Sequence, residues 1–176
     1  MKGIPVFDSK SGVVEPIDSI VFHQEVEQFK KLDRDNLFSR YIKTNRLDSL
    51  YVRSVQIKQN SFIADFNGDN EKDIMFLVRN IINDKTGFIF FHSPKDFFVV
   101  GAGNENSALD SLFYTQFSID RSKMAYETVI DSISGDIIEP KEIKLKNIAL
   151  AMHEEEGTSG LLTWNGEKYV YIHTGD

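Results

Sequence analysis

The sequence predicts a mainly β protein (α+β is the alternative), built as antiparallel β-meander sheets with an N-terminal helix. Three observations carry that expectation. Continuous apolar runs at residues 74–78, 88–91 and 97–100 follow one another closely. The polar connections between the last three, residues 83–87 and 93–96, are too short for a crossover helix, so neighbouring runs pair antiparallel. A helical apolar period is clear in one place only, near the N-terminus.

The elements follow in order. Val6 and Phe7 lead into Asp8-Ser9-Lys10-Ser11-Gly12, then Val13, Val14, Glu15 and Pro16, the pattern of a hairpin whose glycine takes φ > 0. Similar wording recurs at Val129-Ile130-Asp131-Ser132-Ile133-Ser134-Gly135 and runs on to Glu139-Pro140. Reuse of a favourable turn explains this more simply than duplication, because the likeness fades beyond the prolines. Asp18 or Ser19 caps a helix in which Phe22, Val26 and Phe29 recur on one face. A weaker helical turn runs through Asn36 to Lys43. From Tyr51 the pattern is strand: Val55 and Ile57 alternate with polar residues, as do Phe62, Ala64 and Phe66. After the three apolar runs, residues 107–113 read as a short helix or a loop. The tail adds strands at 148–152, 161–164 and 169–173, with Asn165-Gly166 marking a primed hairpin turn between the last two. At 176 residues the chain is expected to form a single domain, 1–176, with hairpin and helix in 1–50 and a β-rich body in 51–176.

Composition excludes several classes. There is no cysteine, hence no disulfide framework, thiolate metal site or thiol nucleophile. No run approaches the ~18 apolar residues of a membrane helix. The net charge is −7, and it is uneven: residues 1–64 hold 10 Lys+Arg against 8 Asp+Glu, and residues 65–176 hold 10 against 19. The acidic part repels nucleic acid and suits cations or basic partners. Basic residues between Lys30 and Lys58 surround an apolar stripe, Phe29, Leu32, Leu37, Phe38 and Tyr41, so they read as a solvated face rather than a nucleic-acid surface. Residues 1–5 lack the apolar core of a secretory leader, which leaves a cytoplasmic chain or an exported one with its leader removed.

The loop Asp65-Phe66-Asn67-Gly68-Asp69-Asn70-Glu71-Lys72-Asp73 carries the clearest chemistry. It sets side-chain oxygens at positions 1, 3, 5 and 9, and a net −3 falls within nine residues. Ca²⁺ takes six to eight hard oxygens, which a tight loop can converge from alternate positions. Gly68 and Asn70 suit the left-handed backbone such wrapping needs. The candidate ligands are Asp65, Asn67, Asp69, Glu71 (through its backbone carbonyl) and Asp73. An EF-hand is excluded, because position 6 is Asn70 and position 12 is Phe76. An acidic turn that holds no metal is the competing structural account.

These residues, with Ile74, resemble the calcium loop of FG-GAP (VCBS-type) β-propeller repeats, whose usual form is Asp-x-Asp-Gly-Asp-Gly-x-x-Asp-Leu. The chain departs from it at Asn67 and Asn70, and a single such loop is found where a propeller has several. A broader likeness runs over residues 61–176: the loop, then Phe97-Phe98-Val99-Val100-Gly101-Ala102-Gly103, then Glu156-Gly157-Thr158-Ser159-Gly160-Leu161-Leu162-Thr163-Trp164-Asn165-Gly166, then Gly175-Asp176. That order is similar to a group of small exported bacterial proteins of undefined function. The resemblance implies an extracytoplasmic, periplasmic or cell-surface, non-catalytic module.

Other motifs carry less. Gly101-Ala102-Gly103 lacks the third glycine of a dinucleotide loop and reads as a turn after a buried strand. Gly157–Gly160 is not a nucleophile elbow. His153 has no second histidine at zinc-protease spacing, and Glu154, Glu155 and Glu156 read as a solvated strand end. Trp164, Tyr169 and Tyr171 form a carbohydrate platform if exposed, but packing on the sheet is the commoner use. The expected function is therefore a non-catalytic, exported binding or interaction module with a structural Ca²⁺ loop and a protein or carbohydrate partner. The alternatives are a cytoplasmic acidic partner-binding protein and an unrecognised hydrolase using one of His23, His92, His153 or His173.

Overall fold

The computed structural model describes residues 34–55, 57, 59–104, 109, 114–131, 133–155 and 157–175. The hairpin and capped helix expected between residues 6 and 30 lie outside the described residues, as does most of 107–113. The weaker helical turn is helix α1, Arg34–Thr44. Its apolar residues Leu37, Phe38, Tyr41 and Ile42 share one face and are all buried. Leu47 N–H donates to Ile42 C=O and Arg46 N–H to Lys43 C=O, with Arg46 at φ +58°, so a left-handed C-terminal motif stops the helix.

The body is mainly β, with antiparallel pairing throughout the described strands. The first sheet contains β1 (Tyr51–Arg53), β2 (Ser61–Ala64), β3 (Asp73–Asn80), β4 (Thr86–Phe91) and β5 (Phe97–Gly101). Strands β3, β4 and β5 form the expected meander. The strand expected through Val55 and Ile57 is interrupted instead. β1 and β2 lie end to end along the same edge of β3, and of the described residues between them Val55, Ile57 and Gln59 are off the ladder. Ser54 N–H donates to Leu77 C=O while Leu77 N–H donates to Asn60 C=O, so one β3 residue serves both ends of the excursion. The Asn60 amide closes its neck through Ser54 C=O and the Arg53 guanidinium. Val55 is consequently 87% exposed; the alternation there is that of a loop, not of a half-buried strand.

The second sheet runs β11 (Tyr169–Gly175), β10 (Ser159–Trp164), β9 (Ala149–His153), β6 (Gln116–Asp120). Each layer buries one face against the next. Ile74, Phe76, Val78, Ile89 and Phe91 of the first sheet pack on α1. On the opposite face Met75, Leu77, Phe88 and Phe90 meet Leu150, Met152, Leu162 and Tyr169 of the second sheet. Burial on both faces is why β3 and β4 read as continuous apolar runs. The far face of the second sheet, with Ala149, Ala151, Leu161 and Ile172, receives Ala125, Ile143 and Leu145.

Those residues belong to or adjoin a separate hairpin, β7 (Met124–Ile130) and β8 (Ile137–Lys144). Its turn is the repeated hairpin signal: the Asp131 carboxylate accepts from Ile133 and Ser134 N–H, and Gly135 takes φ +77°. Pro140 sits inside β8, at the point where the register with β7 shifts, a place that tolerates its missing N–H. At the Asn165-Gly166 hairpin, Gly166 leads the turn at φ +109°. The Asn165 side chain accepts from Glu167 and Lys168 N–H.

Candidate functional site

The acidic loop joins β2 to β3, and its ends are a paired residue couple, Ala64 and Asp73. Phe66 points inward, is fully buried and meets Phe90 edge-on at 5.1 Å, which fixes the loop to the inter-sheet core. The two left-handed positions fall where the sequence implied, Gly68 at φ +82° and Asn70 at φ +70°. Gly68 has a second reason to be glycine. Asn147 Oδ1 lies 2.2 Å from where a Cβ would stand, and Asn147 Nδ2 donates to Trp164 C=O at 2.9 Å. The β8–β9 connection therefore braces the loop from the second sheet.

Side-chain oxygens organise the loop backbone. Asp65 accepts from Gly68 N–H at 2.7 Å and Asn70 N–H at 3.0 Å, one on each oxygen. Asn67 Oδ1 accepts from Asp69 N–H at 3.0 Å, and its Nδ2 donates to Asp69 Oδ2 at 2.9 Å. Asp69 Oδ1 accepts from Glu71 N–H at 2.8 Å. Asp73, at the foot of the loop, accepts from Phe66 N–H at 2.7 Å and Asn67 N–H at 3.1 Å, both through Oδ2. Its Oδ1 is buried without a hydrogen-bond partner, and the residue is fully shielded from solvent. Desolvation pushes this carboxyl up to about 7, aided by the nearby charges of Asp69 and Asp65 and opposed by the two N–H donors.

All five predicted ligand residues thus belong to one hydrogen-bonded loop, but their acids do not converge. Among the described residues, no three His, Cys, Asp or Glu side chains stand close enough together to hold a metal ion. Asp65 and Asp69 turn toward backbone amides, Asp73 lies beneath them and Glu71 is exposed. The donor chemistry, carboxylate and amide oxygen with no sulfur or nitrogen, fits a hard cation such as Ca²⁺. Each carboxylate offers about four lone-pair directions, so accepting N–H donors does not exhaust Asp65 or Asp73.

A polar pair beneath the loop went unrecognised in the sequence. His92 Nε2 and the Tyr169 hydroxyl are 2.7 Å apart, buried between the sheets. Burial holds the imidazole below its ordinary range, partly offset by Asp96, Asp69 and Asp65, and burial raises the Tyr169 phenol. Trp164 meets His92 at 5.0 Å and Phe98 at 4.6 Å, while Tyr169 stacks on Phe90 at 3.9 Å. Tyr169 and Trp164 therefore pack into the sheet interface rather than forming an exposed carbohydrate platform. Seventy-seven residues separate His92 from Tyr169, and no local spacing signals such a pair.

The remaining motifs settle as turns. Gly101 at the end of β5 and Ala102 and Gly103 after it all take positive φ, and Asn80 Nδ2 donates to Ala102 C=O at 2.9 Å. Glu154 N–H donates to Thr158 C=O in the turn before β10. His173 Nε2 lies 2.9 Å from Gly175 C=O, within its own strand. No described helix is long and apolar enough to cross a membrane. Comparisons with protein-family models, curated proteins and solved structures find no match to this chain.

Proposed function

We propose that the protein is a non-catalytic, exported binding module whose Asp65–Asp73 loop takes a structural Ca²⁺. Asp65, Asn67, Asp69 and Asp73 side chains and the Glu71 carbonyl would hold the ion. The observation that carries this reading is Asp73 Oδ1, a buried carboxylate oxygen without a partner at the foot of a loop of net charge −3. An unpaired buried charge is costly, and a divalent cation relieves it together with the repulsion among Asp65, Asp69 and Asp73. The ion would supply charge neutralisation and tie the β2–β3 connection, with no part in bond-making. Asp65, Asp69 and Asp73 would have to turn toward one point to hold the ion, since here they accept from backbone amides.

Extracellular calcium modules bind with Kd of about 10⁻⁴–10⁻³ M, which links such a loop to a calcium-rich compartment outside the cytosol. Calorimetric titration of the EDTA-treated chain with CaCl₂ tests the proposal, with Asp73→Asn as the control. Binding heat in the wild type and its loss in the variant are expected. The competing reading, a loop that orders itself by hydrogen bonds alone, predicts no heat in either.

A further inference from the structure

The dipeptide Asn-Gly occurs twice in the chain, at Asn67-Gly68 and at Asn165-Gly166. With no Cβ to shield it, a glycine nitrogen can close a five-membered ring on the Cγ of the preceding asparagine. In that step the N–Cγ bond forms, the Cγ–Nδ2 bond breaks, and ammonia leaves carrying the proton of the glycine amide. Water then opens the succinimide at either carbonyl, giving aspartate or isoaspartate. The reaction needs a glycine N–H that nothing else holds, room to close the ring, and donors for the oxygen that becomes negative at Cγ.

The two sites differ on each count. In the acidic loop, Gly68 N–H donates to Asp65 at 2.7 Å, and Asn147 Oδ1 crowds Gly68 from the side. Asn67 Nδ2 is held by Asp69 Oδ2 at 2.9 Å, and Asn67 Oδ1 accepts from a single N–H, that of Asp69. The carboxylates of Asp65 and Asp69 oppose any further negative charge beside them. At the β10–β11 turn, residues 165–168 are all exposed, and beyond its chain neighbours no atom lies within 4 Å of where a Gly166 Cβ would stand. Among the described residues, no hydrogen bond holds Gly166 N–H or Asn165 Nδ2. Asn165 Oδ1 accepts from Glu167 N–H and from Lys168 N–H, each at 2.9 Å, so two donors already stand where the oxyanion of the tetrahedral intermediate develops. We propose that Asn165-Gly166 is a self-modification site, where the chain converts Asn165 to aspartate and isoaspartate through a succinimide, while the acidic loop keeps Asn67-Gly68 intact. The product carries one more negative charge and, as isoaspartate, an extra backbone methylene in the β10–β11 turn. The inference does not depend on calcium binding.

Incubation of the full EDTA-treated chain at pH 8 and 37 °C, with peptide mapping by mass spectrometry, reads both sites in one sample. Asn165 should show the mass gain of an amide turned carboxylate, with isoaspartate among the products, at least tenfold faster than Asn67. In concentrated urea, where neither turn is held, the two rates should converge because Asn67 speeds up. Asp65→Ala, which releases Gly68 N–H, should raise the Asn67 rate severalfold and leave that of Asn165 unchanged. Gly166→Ala should slow conversion of Asn165 tenfold or more. The wild-type comparison of native buffer with urea keeps the test decisive if either variant does not fold. An Asn165 that stays intact in native buffer over the time in which it converts in urea would overturn the inference. So would equal rates at the two sites in the native chain.

Discussion

Asp73 is the residue on which the site turns. Its burial, its two N–H donors and its unpartnered Oδ1 leave the ionised form poorly compensated when no cation is present. Asp73→Asn keeps an oxygen acceptor for Phe66 and Asn67 and removes the charge. In EDTA it is expected to melt within a few degrees of the wild type at pH 7.5, yet to lose any calcium-dependent rise; melting curves with and without CaCl₂ check both. His92 gives a pH prediction of opposite origin. Its folded pKa lies below the unfolded value of 6.5, so the unfolded chain binds more protons between the two. Stability from this group is present above pH 6.5 and is lost as pH falls toward the folded value. His92→Gln, which can still hydrogen-bond Tyr169, should flatten the loss of stability as pH falls below 6.5 in urea titrations. At Gly68, φ +82° and the approach of Asn147 Oδ1 both exclude a side chain. Gly68→Ala should cost about 1–3 kcal/mol by urea unfolding. The loop's oxygens and left-handed positions were legible in the sequence because they are local. The Asp73 burial and the His92–Tyr169 pair were not, because both arise only when the two sheets close on each other.

Among the elements, legibility followed burial. β3, β4 and β5 are apolar on both faces and stood out as runs, while β8 is almost wholly exposed and carries Pro140. Sequence patterning tracks what a strand must bury, so a strand held mainly by pairing in a hairpin leaves little trace. The interrupted edge at β1 and β2 shows the converse failure, since apolar alternation through Val55 and Ile57 does not specify a ladder when Asn60 and Arg53 tie off a loop. Substitutions should separate the two cases. Val55→Ser is expected to change stability by no more than about 0.5 kcal/mol. Phe90→Ala, removing a ring packed on Phe66 and Tyr169, should cost about 3–5 kcal/mol. Parallel urea titrations of the two variants decide the point.

At the scale of the whole molecule, the described residues layer a helix, a five-stranded sheet, a four-stranded sheet and a hairpin, and the cysteine-free chain has no disulfide to tie them. The mainly β class and the meander followed from connection lengths; the stacking of layers did not, because the sequence says which faces are apolar but not which face meets which. The acidic loop lies at the end of the first sheet where Asn147 and Phe66 reach the second, so a cation there would strengthen a junction between layers. At 10 mM CaCl₂ and a Kd of about 10⁻⁴–10⁻³ M, linkage gives about 1.4–2.7 kcal/mol of stabilisation. For a chain of this size that corresponds to about 3–10 °C in melting temperature. The direct measurement is calorimetric titration of the EDTA-treated chain with CaCl₂ at pH 7.5, paired with melting in the same buffers. A single saturable site with that rise in melting temperature, absent from Asp73→Asn, is the predicted result. No binding heat and coincident melting curves would contradict the calcium loop.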